Sequence, residues 1–435
     1  MSPKDLSIHW VWLPLFHYIS AGAILAGAKM DTVRFANILI WAAIPVILFF
    51  FLYRQKTENN LFIAFLSSLF CAIFPIGILL GTTAQPEPLF ALLILLFVIS
   101  ASSKRYIISA IILSFACMLR YEAWAVFIVA VLMYLSDIIK NKRFLINKKI
   151  LNIIIPSLVI LAWAILRSPF DGKLFGFLFQ TQQFANDALN QTNSFQGGIL
   201  KILYDIIYYP VFVPFLFTGI NLLFVPFGIK RCYVNNKWFL LSGAGILAFI
   251  SLSWIMKSNL GLDRHFVSII PLYSTLTAFG IANAIGYLKK LNIKNKILRP
   301  GNIKITLLTV VFISSLIYLV MWLYIWQNNY KEGFPERKIA SEYLKNIPDN
   351  KTIFCNDAIV EIFSDLDFRR FNHIWMENNP AAPEMIMQAA KTEGYVYVIT
   401  TPEKWKNLNK IGKIIFQSPT DAESKSAILI IKVDK

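Results

Sequence analysis

The sequence predicts a mainly α protein, a polytopic bundle of about ten transmembrane helices followed by a small extracytoplasmic α/β domain at the C-terminus. Three observations predict this architecture. Hydrophobic residues make up 57% of the chain and charged residues only 15%, whereas soluble domains carry about a quarter charged residues. Apolar stretches long enough to cross a bilayer recur along most of the chain. The basic residues between these stretches fall mainly on alternate connectors.

The transmembrane domain is predicted over residues 31–326. A helix needs roughly 17 to 25 mainly apolar residues to cross about 30 Å of hydrocarbon, and the third and fourth stretches are short by that measure. The ten stretches lie near 31–53, 59–80, 87–102, 105–120, 122–139, 150–167, 203–229, 237–256, 266–287 and 303–326.

The basic connectors orient this bundle. A formal net charge of +17 would also suit nucleic-acid binding, but lysine and arginine in short connectors are typical topology signals, so we expect no nucleic-acid partner. The connectors at 81–86, 168–200 and 257–265 then face the outer side, as does everything after residue 327. The basic connectors, which we place in the cytoplasm, are those with Arg54/Lys56, Lys104/Arg105, Lys140 to Lys149, Lys230/Arg231/Lys237 and Lys289 to Lys304.

Residues 1–30 are predicted to be an outer juxtamembrane segment, because an even number of crossings places them outside. Nothing upstream in the sequence carries them across, and Met1 to Asp5 has neither the basic nor the apolar part of a signal peptide. Trp10 to Met30 is apolar but includes Pro14 and His17. It is either a marginal eleventh span or a helix lying in the membrane interface, and we favour the interfacial helix.

Residues 327–435 are predicted to be a soluble extracytoplasmic α/β domain, because charge density rises and the apolar runs shorten to strand length. The spacing predicts helices over 339–347 and 382–391. It predicts strands over 352–355, 395–400, 411–416 and 427–433.

The cysteines and histidines are scattered along the chain. Cys71, Cys117, Cys232 and Cys355 form no CxxC pair, so neither a zinc site nor a disulfide framework is indicated. We expect no tightly bound transition metal, and the sequence leaves open a loosely held divalent cation such as Mg²⁺ or Mn²⁺.

Three outer clusters carry ionisable residues. In the first, Glu87 stands between Pro86 and Pro88, where it is either a site carboxylate or an ordinary first-turn carboxylate favoured by the helix dipole. The second is the run Arg120-Tyr121-Glu122-Ala123-Trp124 between two apolar stretches. Ionisable groups at membrane depth are costly and indicate function; the alternative is a mutual Arg120–Glu122 pair with an anchoring tryptophan.

The third cluster is Asp263-Arg264-His265, followed by Pro271 as the next span begins. Arg264 could present its planar fork to a phosphate group. The alternative is an arginine that anchors the end of the span.

These residues carry a resemblance to a known family. The stretch from Pro86 to Trp124 resembles the GT-C superfamily of polyprenyl-phosphate-sugar-dependent glycosyltransferases, which includes protein O-mannosyltransferases and lipid A aminoarabinose transferases. The segment WLPLFHY, Trp12 to Tyr18, is similar to the aromatic and Pro-Leu segment after the family's first outer loop. Arg264 before a proline-containing span is similar to its late arginine, and a soluble outer domain after the last span also recurs.

The resemblance implies an integral-membrane glycosyltransferase in a bacterial or archaeal cell membrane. It would transfer a sugar, mannose or a similar hexose or pentose, from a polyprenyl-phosphate donor to a protein, lipid or glycan on the extracytoplasmic or lumenal side. Such transfer needs a base for the acceptor hydroxyl and cations for the departing phosphate.

The resemblance also implies roles for individual residues. The catalytic carboxylates would be Glu87, Glu122 and Asp5, and the donor phosphate would bind Arg120, Arg264 and His265. The substrate contacts would be Trp10, Trp12, His17, Tyr121 and Asp263. The outer loop 168–200 would cover the site with its polar residues Asp171, Gln180, Gln182 and Gln183.

One departure from the family stands out. Its members normally begin with a transmembrane helix and an outer loop whose acidic residue is taken as the catalytic base. Here only Met1 to Val11 precedes the matching segment, and Asp5 is the sole acid in it. We expect either that the natural start lies upstream or that the chain is a truncated relative.

Two other functions stay open. A carrier of lipid-linked sugars would also place polar residues in a bundle, although we find no duplicated halves of the kind transporters show. A non-catalytic membrane subunit would use the C-terminal domain to recruit a partner in a glycosylation complex.

Overall fold

The computed structural model divides into two compact units, Leu6–Leu323 and a second made chiefly of Tyr324–Lys435. The structure describes residues 13–27, 30–55, 59–141, 148–191, 199–290, 300–331, 335–347, 350–355, 360, 364, 366, 370–372, 382–402, 405, 411–418 and 427–435.

Helices form almost all of the first unit. The α-helices up to the middle of the unit are α1 Leu15–Leu25, α2 Met30–Tyr53, α3 Asn60–Ala72, α4 Pro75–Gly81, α5 Glu87–Ser102, α6 Tyr106–Cys117, α7 Glu122–Asn141, α8 Leu151–Asp171 and α9 Gly176–Gln191. The remaining ones are α10 Ile199–Ile207, α11 Val213–Thr218, α12 Val225–Asn235, α13 Lys237–Ile255, α14 Ile270–Lys290 and α15 Pro300–Lys331. Shorter 3₁₀ helices occupy Lys148–Ile150, Gly219–Phe224 and Asp263–Ile269, and a π-helical turn occupies Tyr208–Phe212.

The predicted fold class is confirmed. Within the part of the chain that the structure describes, seven helical stretches are long and apolar enough to span a membrane, or eight if α3 and α4, bent by 59° at Pro75, count as one span. The two short predicted spans are present as α5 and α6, which have 16 and 12 residues. At about 1.5 Å per residue these helices, like the 11-residue α1, are shorter than the hydrocarbon core.

The core of the first unit lies around α14, whose apolar window is 89% buried, against 11% for α15. Two glycines let neighbouring backbone approach α14 closely. A Cβ atom on Gly228 of α12 would lie 2.0 Å from the Leu276 carbonyl oxygen, and one on Gly280 would lie 1.9 Å from that of Phe224. Small residues at such contacts are typical of helices packed in membranes.

A five-stranded mixed sheet forms the second unit. Its order is β2-β1-β3-β5-β4, with parallel pairing among the first three strands and antiparallel pairing beyond. The strands are β1 Ile353–Cys355, β2 Phe371–Asn372, β3 Tyr395–Thr400, β4 Lys413–Ser418 and β5 Ile428–Asp434, and the helices are α16 Pro335–Lys345 and α17 Ala382–Glu393.

Alternation along the strands places a helix on each face of this sheet. Val396 and Val398 of β3 pack in the same cluster as Ile386 of α17. Tyr397 and Ile399 pack instead with α16. The predicted strands and helices of this unit are therefore present; β2, with only two residues, was missed because it is too short to show alternation.

The four cysteines all lie in the described part of the chain, where they are buried and form no disulfide.

Candidate active site

The three ionisable clusters named above meet at one place in the first unit. Glu87 is the first residue of α5, and Glu122 is the first residue of α7. Arg120 lies in the tight turn between α6 and α7, and Arg264 and His265 lie in the 3₁₀ helix that precedes α14. Each functional side chain is therefore held at the end or start of a helix, where the backbone is fixed by packing.

The turn before Glu87 is held by a side chain of α2. Asn37 is buried, and its amide Nδ2 donates to the carbonyl oxygens of Thr83 and Gln85 at 2.7 Å each. Pro86 and Pro88 lie at the start of α5. The first backbone N–H groups of a helix have no acceptor within the helix, so proline loses no hydrogen bond at these positions. The carboxylate of Glu87 is thus directed into the protein, where the residue is 2% exposed.

Arg120 is the centre of the site. Its Nη1 donates to Glu87 Oε1 at 2.6 Å. Its Nε and Nη2 donate to Glu122, with Nη2 at 2.7 Å from Oε1 and Nε at 3.1 Å from Oε2. All three side chains are buried. The predicted Arg120–Glu122 pair is real, and Glu87, 33 residues earlier in the chain, completes it.

His265 closes the same network. Its Nδ1 lies 2.7 Å from Arg120 Nη2 and 2.8 Å from Glu122 Oε1. One ring nitrogen accepts from the guanidinium in one tautomer or donates to the carboxylate in the other, but it does not do both. The imidazole can therefore exchange partners as the charge around it changes.

Arg264 lies at the rim of the site. Its side chain is 25% exposed, and its Nε is 3.6 Å from Glu87 Oε1, which is too long for a hydrogen bond. Within the described chain, Arg264 Nε and Glu87 Oε2 are buried and make no hydrogen bond. A guanidinium that combines partial exposure with an unused donor is well suited to bind an incoming anion.

Two tyrosines of the π-helical turn hold the segment that leads to Arg264. The Tyr208 hydroxyl donates to the Gly261 carbonyl at 2.6 Å, and the Tyr209 hydroxyl donates to the Leu262 carbonyl at 3.0 Å. The Asp263 carboxylate accepts from the backbone N–H of Arg264, so Asp263 shapes this segment. π-Helical turns often occur at functional sites.

Tyr121 points away from this network into an aromatic cluster. Its ring stacks on Phe177 at 6.1 Å and packs edge-on against Trp124 at 5.4 Å. The Trp124 Nε1 donates to the Cys117 carbonyl at 3.1 Å, which fixes the turn that carries Arg120. The contacts of Tyr121 and Trp124 thus connect α9 with the site.

A second buried arginine was missed by sequence reasoning. Arg167 is fully buried and pairs with Asp171, with Nη2 to Oδ1 at 2.7 Å and Nε to Oδ2 at 3.0 Å. Its Nη2 also donates to Gln180 of α9 at 3.2 Å. The i,i+4 spacing of the two charges was the available signal. Where it is described, the predicted outer connector 168–200 contains the end of α8 and the helix α9, which is not among the candidate spans.

A pocket of about 300 Å³ adjoins the network. His17 of α1 lines it, and burial lowers the pKa of this imidazole. Its other lining residues include Leu13, Phe16, Ser20, Gln85, Pro86 and Leu119. Pro86 and Leu119 directly precede Glu87 and Arg120, so a mostly apolar space opens beside the buried charges.

Asp5, Trp10 and Trp12 lie outside the described residues. Gln182 and Gln183 are exposed on α9.

No group of three or more histidine, cysteine or acidic residues in the described ranges is arranged to hold a metal ion. The two carboxylates of the site already face guanidinium groups, so this set of residues does not fit a metal centre.

The sequence and the structure of this chain were compared with those of known proteins, and only the structure gives matches. No family model matches the sequence, and no curated protein matches it. Among solved structures, ArnT from Cupriavidus metallidurans bound to undecaprenyl phosphate matches with a TM-score of 0.59 and 11% identity, over 97% of this chain and 88% of that chain. The chain shares the fold of this ArnT structure.

A second solved structure supports this fold. The Archaeoglobus fulgidus oligosaccharyltransferase, tethered to an acceptor peptide with the NVT sequon, matches with a TM-score of 0.51 and 12% identity, over 99% of this chain and 69% of that chain. Another structure of it is a complex with Zn and sulfate. The two matches confirm the fold that the sequence resemblance implied, at identities that establish fold alone.

Proposed function

We propose that this chain is an integral-membrane glycosyltransferase that takes its sugar from a polyprenyl-phosphate donor on the outer side of the membrane. The observation that carries the proposal is the buried network of Arg120, Glu87, Glu122 and His265, with the partly exposed Arg264 at its rim. Support comes from the GT-C fold and from the undecaprenyl phosphate bound by ArnT.

Arg264 is the proposed first ligand of the donor phosphate. The carboxylates of Glu87 and Glu122 face the guanidinium groups of Arg120 and Arg264. Negative charge that develops on the departing phosphate needs a donor that is free to turn toward it. Arg264 meets this need, because no hydrogen bond holds its Nε on Glu87.

Glu87 is the better candidate of the two described carboxylates to take the acceptor proton. Its Oε2 makes no hydrogen bond to the described residues, whereas both oxygens of Glu122 are bound by Arg120. In the reaction the acceptor oxygen bonds to the anomeric carbon as the carbon–oxygen bond to phosphate breaks. The electron pair stays on the phosphate and the hydroxyl proton passes to the carboxylate. Asp5 remains a predicted alternative base.

The pocket beside the network is the proposed place for the part of the prenyl chain nearest the phosphate. Its lining is mostly apolar, and it adjoins Pro86 and Leu119. A lipid-linked donor keeps its tail in the bilayer, so phosphate at Arg264 and isoprene units in this pocket suit one molecule. The acceptor, a protein, lipid or glycan, would approach from the outer side.

Release of polyprenyl phosphate tests the proposal without knowledge of the acceptor. The purified full chain is reconstituted in liposomes with polyprenyl-phosphate mannose, or with other hexose and pentose donors, and a membrane extract supplies acceptors. We expect sugar transfer with at least one donor, and loss of transfer in Arg264→Gln. Lys257→Gln is the matched control, because Lys257 is an exposed lysine of the same connector.

Two results would contradict a transferase. Movement of intact donor between leaflets without its consumption would favour a carrier. Absence of turnover with every donor, together with a stable co-purifying partner, would favour a non-catalytic subunit.

A further inference from the structure

A second pocket, of about 240 Å³, lies at the other predicted face of the membrane domain. Helices α7, α8 and α13 contribute its lining, where the basic connectors before α8 and before α13 meet. Its polar and amphipathic lining residues are Tyr134, Asp137, Lys149, Asn152, Lys237 and Trp238. The positive-inside pattern places this end of the bundle in the cytoplasm.

The charged groups of this pocket sum to one positive charge. Lys149 Nζ lies 2.5 Å from Asp137 Oδ2, and both side chains are 36% exposed. Lys237 is half-buried at the first turn of α13, and its Nζ is 5.8 Å from the ring centroid of Tyr233. The positive end of the α13 dipole adds to its charge. The pocket is therefore electrostatically suited to an anion.

Asn152 supplies a donor that the protein does not use. The residue is 1% exposed, and its Oδ1 accepts from the Ser109 hydroxyl at 2.7 Å. Its Nδ2 is buried and makes no hydrogen bond to the described residues. Buried amide donors are nearly always paired. A ligand oxygen in the adjoining pocket would accept the hydrogen bond that Asn152 Nδ2 does not make within the protein.

We propose that this pocket binds a phosphate group, carried either by an anionic phospholipid headgroup or by a free phosphate ester. Phosphate offers several acceptor oxygens to Lys149, Lys237 and Asn152 at once. Trp238 and Tyr134 present amphipathic rings of the kind found at headgroup depth. The site is separate from the proposed active site and stands whether or not the chain transfers sugar.

Native mass spectrometry of the full chain in detergent tests this proposal. The probes are phosphatidylglycerol, glycerol 3-phosphate and phosphate-free diacylglycerol. We expect Lys237→Gln to weaken phosphatidylglycerol binding about fivefold, and Lys149→Gln to act in the same direction. Lys230→Gln, at an exposed lysine of the same connector outside the pocket, should leave binding within about twofold of wild type.

The probes also distinguish the two sources of phosphate. Tight binding of phosphatidylglycerol that glycerol 3-phosphate does not displace supports a lipid headgroup, and displacement at comparable concentration supports a soluble ester. Diacylglycerol binding as tightly as phosphatidylglycerol would overturn the proposal. So would unchanged phosphatidylglycerol affinity in both Lys237→Gln and Lys149→Gln, provided that the variants elute as folded protein in gel filtration.

Discussion

Two buried arginines of the membrane domain make contrasting networks. Arg167 pairs with Asp171 four residues later in the same helix, and both side chains are at most 1% exposed. Arg120 instead joins groups from three separate connectors, and its network reaches the surface at Arg264 and His265. The first network joins a buried pair in α8 to Gln180 of the next helix, α9, whereas the second links charged groups of three connectors and is open at Arg264.

The difference indicates which network serves chemistry. The Arg167–Asp171 pair also holds α9 through Gln180, and the buried polar atoms of the pair all have partners among the described residues. In the open network, Glu87 Oε2 and Arg264 Nε make no hydrogen bond to described residues. Unused polar atoms at the edge of a buried cluster are costly for folding and become useful only when a substrate binds.

Arg120→Met should have the largest effect. It leaves Glu87 and Glu122 buried side by side without their cation, which costs about 3–5 kcal/mol of unfolding free energy, and it abolishes sugar transfer. Unfolding in mixed micelles and transfer in liposomes measure the two effects. Arg105→Met, at an exposed position, is the control and should change stability by less than about 0.5 kcal/mol.

Arg167→Met should lower stability by a similar amount, about 3–5 kcal/mol, because Asp171 stays buried without its partner. Replacing both, as Arg167→Met with Asp171→Leu, should recover most of that loss, since an apolar pair no longer needs a counter-ion. Transfer per folded molecule should be retained in the double variant. A double variant that is stable but inactive would show that the Arg167–Asp171 pair also serves catalysis.

Arg264→Gln should lower transfer by about 10²–10³-fold, the range for loss of one donor to a developing oxyanion. Its unfolding transition should stay near that of wild type, because the side chain lies at the rim of the site. Undecaprenyl phosphate binding, followed by native mass spectrometry, should weaken in parallel. Full transfer by this variant would remove Arg264 from the phosphate site.

Tyr208→Phe should have the smallest effect. It removes one hydrogen bond, to the Gly261 carbonyl, and should cost about 1 kcal/mol of stability. Transfer should fall by no more than about tenfold, because the Tyr209 hydroxyl still holds the neighbouring Leu262 carbonyl. A much larger loss of transfer with unchanged stability would mean that the π-helical turn contacts substrate.

Much of the fold could be predicted because its signals are local. Apolar length predicts the spans, and short apolar runs of strand length predict β3 and β5. Helix α9 was not predicted, because its polar composition is unlike that of the apolar spans on which the prediction of helices in this domain depended. The short β2 carries none.

The candidate site was predicted in pieces rather than as a network. Glu87, Arg120 and Arg264 were each identified from costly charges near apolar spans, but the sequence does not show that Arg120 bonds Glu87 across 33 residues. That pairing depends on how α5, α6 and α7 pack. Arg167 was missed because an arginine at the end of an apolar stretch is most often a flanking anchor.

One comparison tests the central claim most directly. It measures the rate of polyprenyl phosphate release per folded molecule in Arg264→Gln and in the Arg167→Met/Asp171→Leu double variant, under the same conditions. If the network of Arg120 and Arg264 carries the reaction, the release rate should fall at least about 100-fold in Arg264→Gln and stay close to wild type in the double variant. A wild-type rate in Arg264→Gln, with loss of activity in the double variant, would contradict that role.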